Sequence, residues 1–149
     1  MKPSPACVEL TKQFEGLSLH PYADPVGIQT IGYGHKITHG EDFSAGITEN
    51  DAEHILFSDL VTAGEAVTKL VKVGLTQNQF DALCDFTFNL GSGQLKDSTL
   101  LRVLNMSQYD QVPTELARWV YAGGEILPGL VKRRQAEANL WSGNAVTGA

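Results

Sequence analysis

Apolar residues recur at helical spacing along most of the chain, and one segment near the N-terminus breaks this pattern. Before that segment, positions three or four residues apart predict a helix over residues 5–16: Cys7, Leu10, Phe14 and Leu17. Residues 18–46 instead combine turn residues with short β-favouring runs. This composition predicts a small, twisted antiparallel sheet.

A helix of about 20 residues is predicted after Thr48, which can cap it together with Asp51. Its apolar positions again follow helical spacing: Ala52, Leu56, Leu60, Ala63, Val67 and Leu70. Further apolar residues widen this surface beyond one stripe. Such a helix either joins two lobes or lies in a single core, and both interpretations stay open.

The rest of the chain predicts a helical bundle. Helices are expected to begin after Thr76 and after Asp97 or Ser98, and another is expected to end at Tyr121. Pro128 suits the first position of the last helix. We expect the apolar side of that helix to consist of Leu130, Val131, Ala138 and Trp141.

Composition narrows the class of protein. The 149 residues carry a formal net charge of −6, which opposes nucleic-acid binding. No secretory signal or run of about 18 apolar residues is visible, so we expect a cytoplasmic protein without stable membrane association. The two cysteines, Cys7 and Cys84, are expected to be buried free thiols, although their number also permits a disulfide. No motif suggests a metal site.

Candidate chemistry centres on Glu15 and Asp24, with Thr30 shortly after them. Cleavage of a glycosidic bond needs two carboxyl groups in different environments. The same spacing also fits two surface carboxylates near turns, and spacing alone favours that second interpretation.

A family resemblance changes this balance. The segment FEGLSLHPYADPVGIQTIGYGH resembles the N-terminal signature of phage-type lysozymes, the endolysins of glycoside hydrolase family 24. The segments LTQNQFDALCDFTFNLG, RWVYAGG and PGLVKRRQAEANLW resemble later blocks of that family, in the same order. The resemblance covers roughly residues 7–142 and favours a catalytic interpretation of the Glu15 and Asp24 pair.

Pattern and resemblance together predict one catalytic domain with a mostly helical, two-lobed α+β fold of the lysozyme type. The expected β lobe spans about residues 17–47, and the connecting helix spans about residues 48–71. Residues 1–16 and 72–149 would form the helical lobe. The resemblance implies a cleft between the two lobes.

The resemblance also implies the reaction. Family members hydrolyse the β-1,4 bond between N-acetylmuramic acid and N-acetylglucosamine in peptidoglycan. Glu15 matches the general acid, whereas Asp24 and Thr30 match the residues that position and activate water, with inversion at the anomeric carbon. No cofactor or metal is implied. A lytic transglycosylase and a non-catalytic peptidoglycan-binding module remain as alternatives.

The expected partners are peptidoglycan glycan strands. The resemblance implies that the protein waits in the host cytoplasm until a separate pore-forming, holin-like protein opens the membrane. It would then reach the cell wall in the periplasm. We expect a monomer.

Several further residues are candidates for contacts in or near the site. Tyr22 and Tyr33 could contact sugars, and Asn89 could either bind substrate or help to end its helix. His35 is expected to form a structural ion pair with Asp59 on the long helix.

The two arginines of the last helix receive different predictions. Arg133 and Glu137 are four residues apart and are expected to pair on an exposed face. Arg134 falls on the apolar side, so it must bond to backbone carbonyls or to Glu15, and it could contact substrate. An arginine beside Glu15 would favour the ionised form of that acid.

Overall fold

A computed structural model describes residues 1–143. Residues 144–149, which the sequence assigns to the helical lobe, lie outside the described residues. The elements in chain order are α1 Pro5–Phe14, β1 Ser18–Ala23, β2 Gln29–Gly32, β3 His35–Lys36, α2 Glu49–Leu70, α3 Gln77–Leu90, α4 Ser92–Lys96, α5 Thr99–Asn105, α6 Val112–Leu116, β4 Tyr121–Ala122, β5 Glu125–Ile126 and α7 Pro128–Trp141. The mostly helical α+β prediction is confirmed.

The predicted antiparallel sheet is present, with strand order β1-β2-β3. Tyr22 on β1 pairs with Thr30 on β2, and Ile31 on β2 pairs with His35 on β3. Ile31 is fully buried, whereas most of β1 is exposed. Strand β2 is therefore the part of the sheet that packs inward, towards α2.

Helix α2 begins and ends within one residue of its predicted bounds. Thr48 Oγ1 accepts from Asp51 N–H, and the Asp51 carboxylate accepts from Thr48 N–H, which completes the expected capping box. One side of α2 contacts the sheet and another packs on α3. Gly64 allows the close approach to α3, since a Cβ there would lie 2.8 Å from the Phe80 ring.

Helix α3 lies at the centre of the helical part and packs against α1, α2 and α7. Its buried side chains include Phe80, Leu83 and Phe86, together with Cys84. Cys7 and Cys84 are both buried and free, as the sequence predicted. Within residues 1–143, no helix is long and apolar enough to cross a membrane.

Two predicted helix ends are wrong. Helix α1 ends at Phe14, and Glu15 is already extended, with φ −108° and ψ 126°. Leu17 therefore lies outside the helix and is exposed. The helix predicted to reach Tyr121 stops at Leu116. Residues 121–126 instead form the β4–β5 hairpin, whose turn contains Gly123 and Gly124 at positive φ.

Candidate active site

Glu15 lies where α1, the β2–β3 turn and α7 meet. It is the first residue after α1, and its extended backbone directs the side chain away from the helix axis. The Glu15 Oε2 atom is 2.6 Å from Arg133 Nη1. On its other side the carboxylate touches Gly34, where a Cβ would lie only 2.6 Å from Oε1. With 21% of its side chain exposed, Glu15 is both held by the protein and accessible.

Arg133 is buried, so its predicted pairing with Glu137 on an exposed face is wrong. Its Nε and Nη2 atoms donate to the two carboxylate oxygens of Asp85, over 3.0 Å and 2.8 Å. This bidentate contact leaves Nη1 to bond Glu15. The inner side of α7 is therefore charged. Its two arginines contact the carboxyl groups of Glu15, Asp85 and Glu137.

Arg134 does not contact Glu15, which corrects the predicted link. Its Nη2 atom donates to Asn89 Oδ1 over 2.7 Å and to Glu137 Oε2 over 3.0 Å. Its guanidinium also lies over the Phe86 ring, 5.3 Å from the centroid. Adjacent residues of a helix point about 100° apart, so only one of the two arginines can face α1.

Asp85 and Glu137 are fully buried carboxyl groups behind this arginine pair. Burial by itself raises the pKa of Asp85, but the Arg133 charge and hydrogen bonds from Glu137, Arg133 and Thr11 hold that pKa well below its ordinary value. Burial, together with the hydrogen bond to Asp85 and its charge, raises the pKa of Glu137 well above its ordinary value. The two pKa values therefore shift in opposite directions, and Asp85 is the carboxyl group of the two that ionises more readily.

Asp24 follows β1 and forms several hydrogen bonds within its own loop. Its Oδ1 atom accepts from the N–H groups of Val26 and Ile28, over 3.0 Å and 2.8 Å. Its own N–H donates to the Ile28 carbonyl. These bonds fix the orientation of the carboxylate.

Thr30 is nearly buried on β2. Its hydroxyl donates to the Ile28 carbonyl over 2.9 Å, so its lone pairs remain available to accept a hydrogen bond. Because Ile28 bonds to both residues, it connects Thr30 to the Asp24 loop.

The two tyrosines differ in exposure. Tyr22 is 40% exposed and lies two residues before Asp24. Tyr33 is only 6% exposed and belongs to the hydrophobic core, so little of its ring is accessible for the predicted sugar contact. Asn89 is partly buried, and its side-chain oxygen Oδ1 accepts a hydrogen bond from Arg134.

The predicted contact between His35 and Asp59 is present. His35 Nδ1 is 2.8 Å from Asp59 Oδ2, and His35 Nε2 is 3.0 Å from Glu41 Oε1. The pair therefore connects β3 to α2 next to the cavity described below.

A cavity of about 380 Å³ lies between the β2–β3 turn and helices α2 and α3. We call it the cleft; its lining includes Gly34, His35, Lys36, Asp59, Thr87 and Phe88. Gly34 is shared between the cleft wall and the contact with Glu15, which places the cleft beside the acid. Among residues 1–143, no three His, Cys, Asp or Glu side chains are grouped so that they could hold a metal ion.

The sequence profile of the family described as Phage lysozyme matches residues 12–137. The chain belongs to the phage lysozyme family. Its fold agrees with this assignment: it superposes on a crystal structure of a P22 lysozyme mutant with a TM-score of 0.84 and 35% identity. That superposition covers 95% of this chain and 99% of the other.

Relatives of this phage lysozyme family member include an endolysin of Bacillus phage B103, 43% identical over 145 residues. The match covers 95% of this chain but 54% of that endolysin, so the chain spans about half the length of this relative. An endolysin of Acyrthosiphon pisum secondary endosymbiont phage 1 is 40% identical over 136 residues. There the match covers 89% of this chain and 92% of the relative.

Sequence reasoning missed Asp85 and the contact of Arg133 with Glu15. Of the two alternatives it left for Arg134, the bond to a backbone carbonyl is present, from Nη1 to Trp119 over 3.5 Å, and the bond to Glu15 is not. One signal was available. Asp81 and Asp85 are four residues apart in the helix that also carries the apolar residues Phe80, Leu83 and Cys84, and a carboxylate on a core-facing position requires a buried donor. That signal predicts a partner for Asp85 but does not say which residue supplies it.

Proposed function

We propose that this chain hydrolyses the β-1,4 bond between N-acetylmuramic acid and N-acetylglucosamine in bacterial peptidoglycan. The observation that carries the proposal is the position of Glu15. Its carboxyl group is partly exposed beside the cleft, held between Gly34 and Arg133. Membership of the phage lysozyme family supports the choice of substrate.

In the proposed reaction, Glu15 is the general acid. In its protonated form it donates its proton to the glycosidic oxygen as the bond to the anomeric carbon breaks. A water molecule attacks that carbon from the opposite face, and Asp24 accepts the proton that the water loses. The products are two shortened glycan ends, one of them reducing. Attack by water on the opposite face inverts the anomeric configuration.

Thr30 is proposed to orient the attacking water. Its own proton is used in the bond to the Ile28 carbonyl, so the hydroxyl can only accept from the water. One water proton would then point at Thr30 and the other at Asp24, which leaves a water lone pair directed at the sugar. The backbone bonds to Asp24 support this arrangement because they fix one of the two acceptors.

We further propose that the protein acts as an endolysin. It would act as a monomer and accumulate in the host cytoplasm until a separate pore-forming, holin-like protein gives it access to the wall. The endolysin relatives support this proposal. Expression in a bacterial host tests it: lysis should depend on co-expression of a pore-forming protein or on chemical permeabilisation. Lysis without either would contradict it.

The enzymatic proposal is tested by turbidity loss of permeabilised Gram-negative cells, combined with chromatography of the released fragments. Glu15→Gln is expected to lower the rate by at least about 100-fold, since it removes the proton donor. Asp24→Asn is expected to have a similarly large effect although the Asn side-chain oxygen can keep both backbone bonds.

Two matched variants control for general effects of these substitutions. Glu9→Gln makes the same change on an exposed side chain of α1. Asp42→Asn makes the same change at a similar turn, where the carboxylate accepts from Ser44 N–H. Both should retain wild-type rates. Full lysis by Glu15→Gln would contradict the role of Glu15 as the acid. Binding to peptidoglycan without lysis by wild type would indicate a binding module, and 1,6-anhydro ends in place of reducing ends would indicate a transglycosylase.

A further inference from the structure

The contact between Arg133 and Glu15 poses a problem for a general acid. An arginine 2.6 Å from a carboxyl group favours the ionised form, which cannot donate a proton. Arg133 is almost fully buried, so water does little to screen its charge. Something else must compensate the guanidinium if Glu15 is to remain protonated at the pH of the reaction.

Asp85 meets this requirement. Its carboxylate occupies two of the three Arg133 nitrogens, over 3.0 Å and 2.8 Å, and it has no exposed surface. It is held from the opposite side by Thr11, whose hydroxyl donates to Oδ1 over 2.8 Å. Because Thr11 lies four residues before Glu15 on α1, the same bonds fix the position of Arg133 relative to the end of that helix.

We propose that Asp85 is a positioning residue, which anchors Arg133 and compensates its charge so that Arg133 orients Glu15 without keeping it ionised. The inference rests on the proposed function, because it takes Glu15 as the general acid. Asp85 itself does not lie on the cleft wall and takes no part in bond breaking.

Other ionisable groups around Asp85 do not replace it. They are Arg133, Arg134 and Glu137 on α7, Cys7 on α1, Glu15 just after α1, and Asp81 and Cys84 on α3 itself. Glu137 has a raised pKa and contacts Arg134, which adds a second positive charge. Asp81 is bonded to Ser4 and Gln77, and the carboxylate of α2 that contacts α1, Glu53, pairs with Lys12. Asp85 is thus the carboxylate that compensates Arg133.

The test compares Asp85→Asn with wild type by the pH dependence of the rate on purified peptidoglycan. Asparagine keeps the size of the side chain but removes the compensating charge. Glu15 would then stay ionised to lower pH, so the half-point of activity on the alkaline side should move down by about one pH unit. Above that half-point the rate should be about tenfold lower than wild type.

Asp81→Asn is the matched control. Asp81 lies on the same helix, is equally buried and accepts hydrogen bonds, but it does not contact Arg133. Both variants should lose thermal stability, whereas only Asp85→Asn should shift the alkaline half-point. If Asp85→Asn does not fold, Asp85→Ser, which is smaller and also neutral, carries the same expectation.

Three results would overturn the proposal: an unchanged half-point in the neutral Asp85 variant, an equal shift in Asp81→Asn, or a folded Asp85 variant that is inactive at every pH. Glu15→Gln, measured in the same assay, distinguishes failure of the proposed function from failure of the inference about Asp85. Activity close to the wild-type rate in Glu15→Gln would overturn the proposed function. An inactive Glu15→Gln with an unshifted Asp85 variant would overturn this inference alone.

Discussion

Gly34 and Glu15 are in direct contact at the edge of the cleft, with room for a hydrogen but not for a methyl group. A Cβ on Gly34 would lie 2.6 Å from Glu15 Oε1 and 3.3 Å from its Cδ. Gly34 also has φ +76°, a conformation that other residues adopt at a cost. The glycine in the β2–β3 turn therefore sets the position of the carboxyl group, and not only the shape of the turn.

Gly34→Ala is expected to displace the Glu15 carboxyl group and lower the hydrolysis rate by about 100-fold, because a shift of about 1 Å is enough for such a loss. The measurement is the rate of reducing-end release from purified peptidoglycan. Gly40→Ala is the matched control, since Gly40 also has positive φ but would place its Cβ in open space. It should lose similar stability, about 1–2 kcal/mol, and keep its rate. Equal rates in the two variants would contradict the role of the contact.

Thr30→Val is expected to lower the rate by about 100-fold while the sheet is retained. Valine fits the strand but cannot accept a hydrogen bond from water. Thr30→Ser restores the acceptor and should recover most of the rate. The same reducing-end assay measures both. A fully active Thr30→Val would show that the hydroxyl does not handle the water.

The His35–Asp59 pair should stabilise the protein most at low pH. Burial by itself lowers the pKa of His35, but the hydrogen bonds and negative charges of Asp59 and Glu41 outweigh this and raise it above 6.5. Stabilisation from such a raised pKa is complete below the unfolded value and is lost as the pH rises through the folded value. Burial raises the pKa of Asp59. The comparison should therefore not go below about pH 6, so that Asp59 stays ionised.

Asp59→Asn should therefore cost about 1.5–3 kcal/mol of unfolding free energy at about pH 6, and clearly less at about pH 9. Urea unfolding at the two pH values measures the difference. Glu65→Gln, on an exposed position of the same helix, is the control and should show no such pH dependence. A loss in Asp59→Asn that is equal at both pH values would show that the charge of His35 is not involved.

The buried Arg134 should contribute more to the free energy of unfolding than an exposed arginine. Arg134→Met leaves Glu137 and Asn89 without a buried partner and is expected to cost about 3–5 kcal/mol. Arg102→Met makes the same change at an exposed position of α5, and should change the unfolding free energy by less than about 0.5 kcal/mol. Urea unfolding compares the two; similar losses would contradict the structural importance of the buried cluster.

The sequence predicted features that depend on local signals. Thr48, Thr76 and Ser98 each cap the helix that follows, because a side-chain oxygen bonds a nearby backbone N–H and needs no distant partner. The contact of His35 with Asp59 followed from a small sheet that must pass the long helix. The family resemblance led to residues 14–35, and in this segment Gly34 and His35 line the cleft while Glu15 contacts Gly34.

Features that depend on distant residues were not predicted. Helical periodicity placed Arg134 on the apolar side of α7 but put Arg133 and Glu137 on an exposed face, whereas all three are buried. Periodicity reports which residues share a face, and it cannot show that a carboxylate 48 residues away neutralises an arginine on that face. The contact of Arg133 with Glu15, at a separation of 118 residues, was beyond reach for the same reason.

The most direct test of hydrolysis by Glu15, Asp24 and Thr30 is proton NMR of the glycan ends at the moment of release from peptidoglycan. We expect wild type to release reducing ends that are first α, because the β-linked carbon is attacked once by water from the opposite face. Glu15→Gln should release none above background. A first product in the β configuration, or a 1,6-anhydro end, would contradict the proposed single displacement by water.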